Sequence, residues 1–305
     1  HPSTLPAVLS PVLTPFKADG YPDQQKLLKQ CKWLEANGVG QAIFGTNSEA
    51  NSMSAPQKMS TLTALIEGGL NPAHMMPGTG ATSVDATVNM TRHAVNHKCA
   101  GVLMLPPFYY KDVSDEGLYR NFAEIIEREG DARLNLYLYH IPPVAQVGIS
   151  LGLIERLLAA YSGVVAGIKD SSGDWKTTQG YLREFSGNGF DVFAGSEVFL
   201  LANLRGGGVG CITATGNVNP GNIDHLYRSW KEPDADRLQE RITATRGIFQ
   251  KYPMIPALKA AIAHCSSDPG WMTVRPPLVE LQPGQQEALN QELAASGFSM
   301  PGLAA

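Results

Sequence analysis

The chain has 305 residues, of which 43% are hydrophobic and 17% are charged, as is typical of a globular protein with a large core. The formal net charge of −4 does not indicate binding to nucleic acid or to an anionic membrane. No apolar run reaches bilayer-spanning length. Because the N-terminus lacks a secretory pattern and the four cysteines form no CxxC pair, we expect a cytoplasmic protein without a zinc site.

Apolar segments of strand length recur at fairly regular intervals along the chain. Eight are predicted as strands, at residues 8–14, 42–47, 75–80, 101–107, 134–141, 163–169, 190–196 and 209–215. Most are followed by helical spacing of apolar residues, as at 24–37, 55–68, 84–96 and 115–129. Strand followed by helix, repeated eight times, predicts an α/β protein with a (β/α)₈ TIM barrel.

The C-terminal part of the sequence is predicted to be helical, at 234–250, 255–264 and 285–296. We therefore expect residues 1–220 to form the barrel strands and most helices. Residues 221–305 would add the last barrel helix and a helical extension within one structural unit. An open doubly wound sheet is the alternative, but the glycine run 206–210 precedes a strand instead of following one.

Lys169 ends the apolar run 163–169. A strand of this composition is buried on both faces, so its last residue lies at the carboxyl edge of a parallel sheet, where barrel active sites are found. A lysine among apolar neighbours can act as an amine nucleophile toward a carbonyl carbon. The alternative is a lysine whose side chain extends to solvent at a strand end.

Other predicted strand ends supply hydroxyl, phenol and amide groups, for example at Thr46, Asn47, Tyr110 and Tyr139. The sequence has neither metal-ligand spacing nor a nucleophilic serine elbow, so no metal or cofactor is expected. One amine among such groups suits imine chemistry on a 2-oxo acid. A free lysine, with a pKa of about 10.4, is only about 0.04% neutral at pH 7, so that chemistry needs a site that favours the neutral amine.

Three motifs resemble the dihydrodipicolinate synthase/N-acetylneuraminate lyase family of class I, Schiff-base aldolases. Residues 45–49 (Gly-Thr-Asn-Ser-Glu) are similar to the family's Gly-Ser/Thr-Thr-Gly-Glu, and residues 139–142 (Tyr-His-Ile-Pro) to its Tyr-Asn-x-Pro. Residues 167–174 (Gly-Ile-Lys-Asp-Ser-Ser-Gly-Asp) are similar to its lysine motif. The resemblance covers the whole predicted barrel in order, and it implies the (β/α)₈ fold.

The resemblance also implies catalytic roles. Lys169 would form the imine, and Tyr139 would donate and accept the proton beside it. Thr46 and Tyr110 would be its partners in a proton relay, with Tyr110 reaching across a dimer interface. Such enzymes are commonly tetramers built as pairs of dimers, so a homotetramer is expected.

Substrate contacts follow from the same resemblance. Asn47 and Ser48, with the backbone at Ile212, would bind the carboxylate of a 2-oxo acid, with pyruvate expected and an aldehyde as its reaction partner. Asn47 and Ser48 stand where the family has Thr and Gly, which changes the shape of the pocket floor. Val144 stands where the synthases have an arginine for the aldehyde's carboxylate, so lysine biosynthesis is doubtful.

Several nearby residues also have structural interpretations. Tyr139 could be a core tyrosine, and of Tyr109 and Tyr110 only one need face the site. His140 follows Tyr139 on a strand, so it should point to the opposite face and be structural. Glu49 is expected to anchor the loop or a helix start and not to act as a base.

Three functional hypotheses remain open. The favoured one is an aldolase or lyase that reversibly cleaves or joins pyruvate and an aldehyde. The second keeps the fold but changes the reaction to dehydration of a deoxy-sugar acid or hydratase-aldolase action on an aromatic 2-oxo acid, because Val144 and its neighbours are apolar. The third is a non-catalytic relative that binds a 2-oxo acid, although binding alone needs no imine.

Overall fold

The computed structural model describes residues 5–304. They cluster into two compact units. The first contains Asn71–Ile212 and the described residues up to Ala7, and the second contains Val8–Leu70 and the chain from Thr213 onward. Among the described residues, we find no helix whose length and apolar character would allow it to cross a membrane.

Short strands and longer helices alternate along the described chain. The strands are β1 (Val8–Ser10), β2 (Gly40–Gln41), β3 (Val102–Met104), β4 (Leu136–His140), β5 (Val165–Asp170), β6 (Asp191–Ala194) and β7 (Gly210–Ile212). The helices are α1 (Gln24–Ala36), α2 (Ala55–Glu67), α3 (Val84–Asn96), α4 (Asp115–Glu129), α5 (Pro142–Ala145), α6 (Leu151–Tyr161), α7 (Trp175–Phe185), α8 (Leu200–Arg205), α9 (Pro220–Arg228), α10 (Ala235–Phe249), α11 (Met254–Ser266) and α12 (Pro283–Ala295). The predicted α/β class is confirmed.

The first unit contains a parallel sheet in the order β3-β4-β5-β6-β7. Its register places Tyr137, Gly167 and Asp191 side by side, and Tyr139, Lys169 and Phe193 in the next row on the same face. A Cβ on Gly167 would lie 2.9 Å from the Tyr137 ring and 2.3 Å from the Asp191 carbonyl oxygen. Glycine at this position therefore makes room for the tyrosine ring.

Residues 75–80 do not form the predicted strand. They make only an isolated parallel bridge, between Gly78 and Leu103, flanked by backbone bonds from Leu103 to Pro77 and from Thr79 to Leu103. Proline has no N–H to donate, which limits pairing along this segment. The described residues contain seven strands where the sequence predicted eight.

The second predicted strand also differs. β2 is shorter than residues 42–47 and ends before them, and the φ of 62° at Phe44 is incompatible with the extended conformation predicted there. Thr46–Ser48 forms a 3₁₀ turn, followed by a second one at Ala50–Ser52. The segment expected to complete a strand is thus a compact double turn.

The second unit pairs β1 with β2 in parallel and contains the four helices after residue 213. The Asn217 side chain accepts from the Leu13 N–H at 2.9 Å and donates to the carbonyls of Pro11 and Ala214. These bonds fix the chain after β1. The predicted C-terminal helices are confirmed as α10, α11 and α12, which pack against one another.

Candidate active site

Lys169 lies near the end of the central strand β5, between β4 and β6 in the first unit. Its side chain does not extend to solvent, because the residue is only 2% exposed. A buried lysine at a strand end needs a partner for its amino group.

Tyr139 supplies a contact to this amine. The Lys169 Nζ lies 3.4 Å from the Tyr139 hydroxyl and 4.5 Å from the centre of its ring. Tyr139 is 3% exposed, so both groups lie within the protein and not on its surface. The structure therefore brings together an amine and a phenol within reach of proton transfer.

The backbone just beyond Lys169 is fixed by Asp170, which is buried. The Asp170 carboxylate accepts from the Thr178 hydroxyl at 2.6 Å and from the Ser172 N–H at 2.9 Å. Its carbonyl accepts from Gly195. Asp174 caps α7, because its side chain accepts from the Lys176 N–H. These contacts limit the conformations open to the loop after the lysine.

His140 points to the opposite face of β4 from Tyr139. Its Nδ1 accepts from the Ile149 N–H at 2.9 Å, and its ring packs edge-on against Tyr181. Burial lowers the pKa of His140, and the nearby Asp170 carboxylate opposes that effect. The expected structural role of His140 is supported by these contacts.

Below the lysine row, Tyr137 donates to the Asp191 carboxylate at 3.1 Å. Burial, with the nearby Asp191 carboxylate, raises the pKa of Tyr137, and burial also raises the pKa of Asp191. Neither residue belongs to the motifs that predict the site. The alternation of Tyr137 with Tyr139 on one strand was the available signal.

Tyr109 and Tyr110 lie on the loop after β3 and are 74% and 75% exposed. Their rings are in edge contact, with centroids 5.3 Å apart. Because both rings are exposed, the relay role of Tyr110 stays a prediction.

The 3₁₀ turn that contains Thr46, Asn47 and Ser48 belongs to the second unit. Ser48 is fully buried, and its hydroxyl accepts from the Gly45 N–H at 3.1 Å. The Ser48 carbonyl accepts from the Thr14 hydroxyl at 2.7 Å. Ser48 thus closes the turn, while Thr46 and Asn47 are half-buried.

Two further predicted positions lie in the first unit. Ile212 ends β7 and is fully buried, so a backbone role is the one open to it. Val144 lies in the short helix α5 and is 60% exposed. The nearby Lys111 amino group donates to the carbonyl of Ala145 at 3.1 Å.

The second unit contains a buried ion pair that was not predicted from the sequence. Lys259 is the one polar residue in the buried run Pro256–Ala263 of helix α11, and its Nζ is 2.6 Å from the Glu49 carboxylate. Both side chains are fully buried. A single lysine within an apolar run was the signal that would have indicated this pair. Across residues 5–304, His, Cys, Asp and Glu side chains form no group of three or more that could hold a metal ion.

A sequence profile of the "Dihydrodipicolinate synthetase family" matches residues 4–296, nearly the whole chain. The chain belongs to the dihydrodipicolinate synthetase family. The expected family resemblance is confirmed, and membership makes the protein an enzyme of the lyase class.

Similarity extends over the full length of several members. An "Uncharacterized DapA-like lyase" from Chloroflexus aurantiacus is 31% identical over 94% of this chain and 93% of the relative. The crystal structure of dihydrodipicolinate synthase from Agrobacterium tumefaciens is 29% identical, with a TM-score of 0.85 over 95% of this chain and 99% of that one. YagE from E. coli K12, solved in complex with pyruvate, shares the fold at 24% identity, with a TM-score of 0.87 over 97% and 99% of the two chains.

Proposed function

We propose that this protein is a class I aldolase that reversibly cleaves or joins a 2-oxo acid, pyruvate in the simplest case, and an aldehyde through an imine on Lys169. The observation that supports this most directly is the buried contact between the Lys169 amine and the Tyr139 hydroxyl at 3.4 Å. Binding of a 2-oxo acid by charge alone would not need an amine beside a phenol in an enclosed position.

The lone pair of Lys169 Nζ attacks C2 of the oxo acid and forms a carbinolamine. Tyr139 supplies the proton with which the C2 oxygen leaves as water, which gives a protonated imine. In the cleavage direction, the C4 hydroxyl proton passes to Tyr139 and the C3–C4 bond breaks. Its electron pair moves into the imine, which becomes an enamine and releases the aldehyde.

Protonation of the enamine at C3 and addition of water at C2 then release the oxo acid and restore the free lysine. Thr46 and Tyr110 are proposed as relay partners of Tyr139, on the strength of the family motifs. Asn47 and the backbone at Ile212 would bind the carboxylate. Because the Ser48 hydroxyl accepts from Gly45, Ser48 would act by shaping the turn and presenting its backbone.

The full-length similarity to family structures also supports a closed (β/α)₈ barrel formed by residues 1–220, with residues 221–305 adding its last helix and an extension. A homotetramer and a cytoplasmic location are proposed on the same family grounds.

A second reaction of the same imine is the dehydration of a deoxy-sugar acid, or hydratase-aldolase action on an aromatic 2-oxo acid. The observation that favours it is Val144, which is 60% exposed where the synthases present a cation. Such a side chain offers no bidentate contact to a carboxylate and suits an apolar second substrate. An assay for pyruvate against 2,5-dioxo products separates cleavage from dehydration.

The proposal is tested by incubating the protein with pyruvate, reducing with borohydride and measuring the intact mass. A single reduced adduct that peptide mapping places on Lys169 is the expected result, and Lys169→Ala should give none. An adduct spread over exposed lysines such as Lys251 would contradict a specific imine site. If only bulkier 2-oxo acids give the adduct, the turn at Asn47 and Ser48 selects a substrate other than pyruvate.

A non-catalytic relative would behave differently in a binding assay. If pyruvate raises the melting temperature of the wild-type protein and of Lys169→Ala equally, the protein binds oxo acids without imine chemistry.

A further inference from the structure

The turn that contains Thr46 and Asn47 ends at a residue in an unusual conformation. Glu49 has φ 60° and ψ 33°, the left-handed region that non-glycine residues adopt at a cost. Its N–H donates to the Thr46 carbonyl at 3.2 Å, and the next N–H, of Ala50, donates to Gly45 at 3.3 Å. The turn therefore depends on contacts that keep Glu49 in this conformation.

The Glu49 side chain has such contacts on both oxygens. Oε2 accepts from the Lys259 Nζ at 2.6 Å, and Oε1 accepts from the backbone N–H of Arg275 at 2.8 Å. Lys259 also donates to the Thr273 carbonyl at 2.7 Å and lies 4.6 Å from the centre of the Phe16 ring. The carboxylate is thus bound to a helix and to the segment that follows it.

Arg275 connects the same segment to the second half of the double turn. Its guanidinium donates to the Ser52 carbonyl at 2.9 Å, to the Gln57 side chain at 2.8 Å and to the Gly20 carbonyl. Both ends of the segment from Glu49 to Ser52 are therefore fixed by residues 259–275.

Stability alone does not account for this arrangement. A fully buried ion pair gains little net stability over apolar residues of similar size, because desolvation of the two charges offsets their attraction. What an ion pair does offer is direction, since each charged hydrogen bond requires one geometry. Next to this ion pair, the structure that requires a fixed orientation is the turn at residues 46–48.

We propose that Lys259 and Glu49 are positioning residues, which orient the Thr46–Ser48 turn so that its donors meet the carboxylate of the 2-oxo acid. This inference rests on the proposed function for the identity of the ligand. Neither side chain touches the substrate in this role. Their removal therefore alters how much oxo acid is needed for the reaction and leaves the amine of Lys169 intact.

The test replaces both charges with neutral groups of similar size, in the double variant Glu49→Gln/Lys259→Met. The readout is the pyruvate concentration that gives half-maximal borohydride adduct, together with the maximal adduct on Lys169. We expect the half-maximal concentration to rise about tenfold, the scale of one weakened charged hydrogen bond, while the maximal adduct is unchanged. Hydrogen exchange at the amides of residues 46–50 should become faster.

The matched control is Lys251→Met/Glu292→Gln, which makes the same chemical change at an ion pair of 2.7 Å in the same unit. That pair is exposed, at 60% and 34% of the two side chains, and is not bonded to the turn. The control should keep wild-type trapping and wild-type exchange. Equal behaviour of the two double variants would overturn the positioning role.

A second variant covers loss of folding. If circular dichroism shows that the double variant is unfolded, Glu49→Asp takes its place, because it keeps both charges and only shortens the side chain. A rise in half-maximal pyruvate supports the role, and a wild-type value overturns it. If the wild-type protein itself traps no pyruvate, the proposed function has failed, and unchanged exchange at residues 46–50 still overturns the positioning role.

Discussion

Lys169 in the first unit and Lys259 in the second are both buried lysines, but their amino groups meet different partners. The Lys169 Nζ lies 3.4 Å from the Tyr139 phenol oxygen, whereas the Lys259 Nζ contacts the Glu49 carboxylate at 2.6 Å. Lys259 also donates to a backbone carbonyl and lies over an aromatic ring. One amine lies beside a phenol hydroxyl, and the other has a set of contacts that stabilises its charged form.

This difference shows that burial alone does not identify a nucleophilic lysine. A carboxylate and a carbonyl at hydrogen-bond distance keep an ammonium charged and without a lone pair to attack with. A phenol can return a proton or take one, so it is compatible with an amine that reacts. The different contacts of the two lysines agree with the roles proposed for them, imine formation for Lys169 and positioning of the turn for Lys259.

The largest effect is expected from Lys169→Ala, which removes the nucleophile. Turnover of any 2-oxo-acid substrate should fall below detection, and the borohydride adduct should disappear, because no imine forms. Steady-state kinetics and intact mass measure the two effects. If Lys169→Ala still turned over substrate, the nucleophile would be Lys259 or another amine.

Tyr139→Phe keeps the ring and removes the hydroxyl. Turnover should fall by about 10²–10⁴-fold through lost proton transfer, while the peptide carrying any adduct is still that of Lys169. Single-turnover kinetics on the purified variant give the measurement. Near-wild-type turnover would remove Tyr139 from the mechanism and leave Lys169 with only a packing neighbour.

Glu49→Gln leaves the Lys259 amino group buried without its carboxylate. The free energy of unfolding should fall by about 3–5 kcal/mol, as measured by urea titration. Glu292→Gln at the exposed pair is the control, and it should change stability by less than about 1 kcal/mol.

The same variant has a characteristic pH dependence. Burial lowers the pKa of Lys259 in the folded protein, and Glu49, which opposes that effect, is gone. Between the folded and the unfolded pKa the unfolded chain binds more protons, so stability rises with pH. The stability of Glu49→Gln should therefore rise more steeply than that of the wild-type protein from neutral to alkaline pH. Parallel curves would mean that Lys259 is not desolvated.

The smallest effect is expected from substitution of His140. Burial lowers the pKa of its imidazole below the usual value of 6.5. Below that value the unfolded chain takes up a proton that folded His140 does not yet bind, so stability declines as pH falls. His140→Gln should reduce this decline in urea titrations at pH 7.5 and 5.5. An unchanged pH dependence would assign the acid sensitivity to other groups.

Much of the fold could be predicted because periodicity is a local property. Strand-length apolar runs identified β3 to β7 in place, and the three C-terminal helices agree with the structure to within two residues at each end. Two of the predicted strands were wrong, each because of a single residue. Pro77 limits pairing at residues 75–80, and the positive φ of Phe44 turns the chain where extended structure was expected.

The sequence by itself determined which residues carry reactive groups at strand ends. Lys169 and Tyr139 could be named because the motifs around them are contiguous. Tyr139 and Lys169 lie on neighbouring parallel strands, and they share a face because the register pairs them. The tertiary structure decided which of these groups have partners. It turned the Ser48 hydroxyl into the turn and paired Glu49 with a lysine 210 residues away. Such pairings depend on contacts between distant segments, which sequence spacing does not encode.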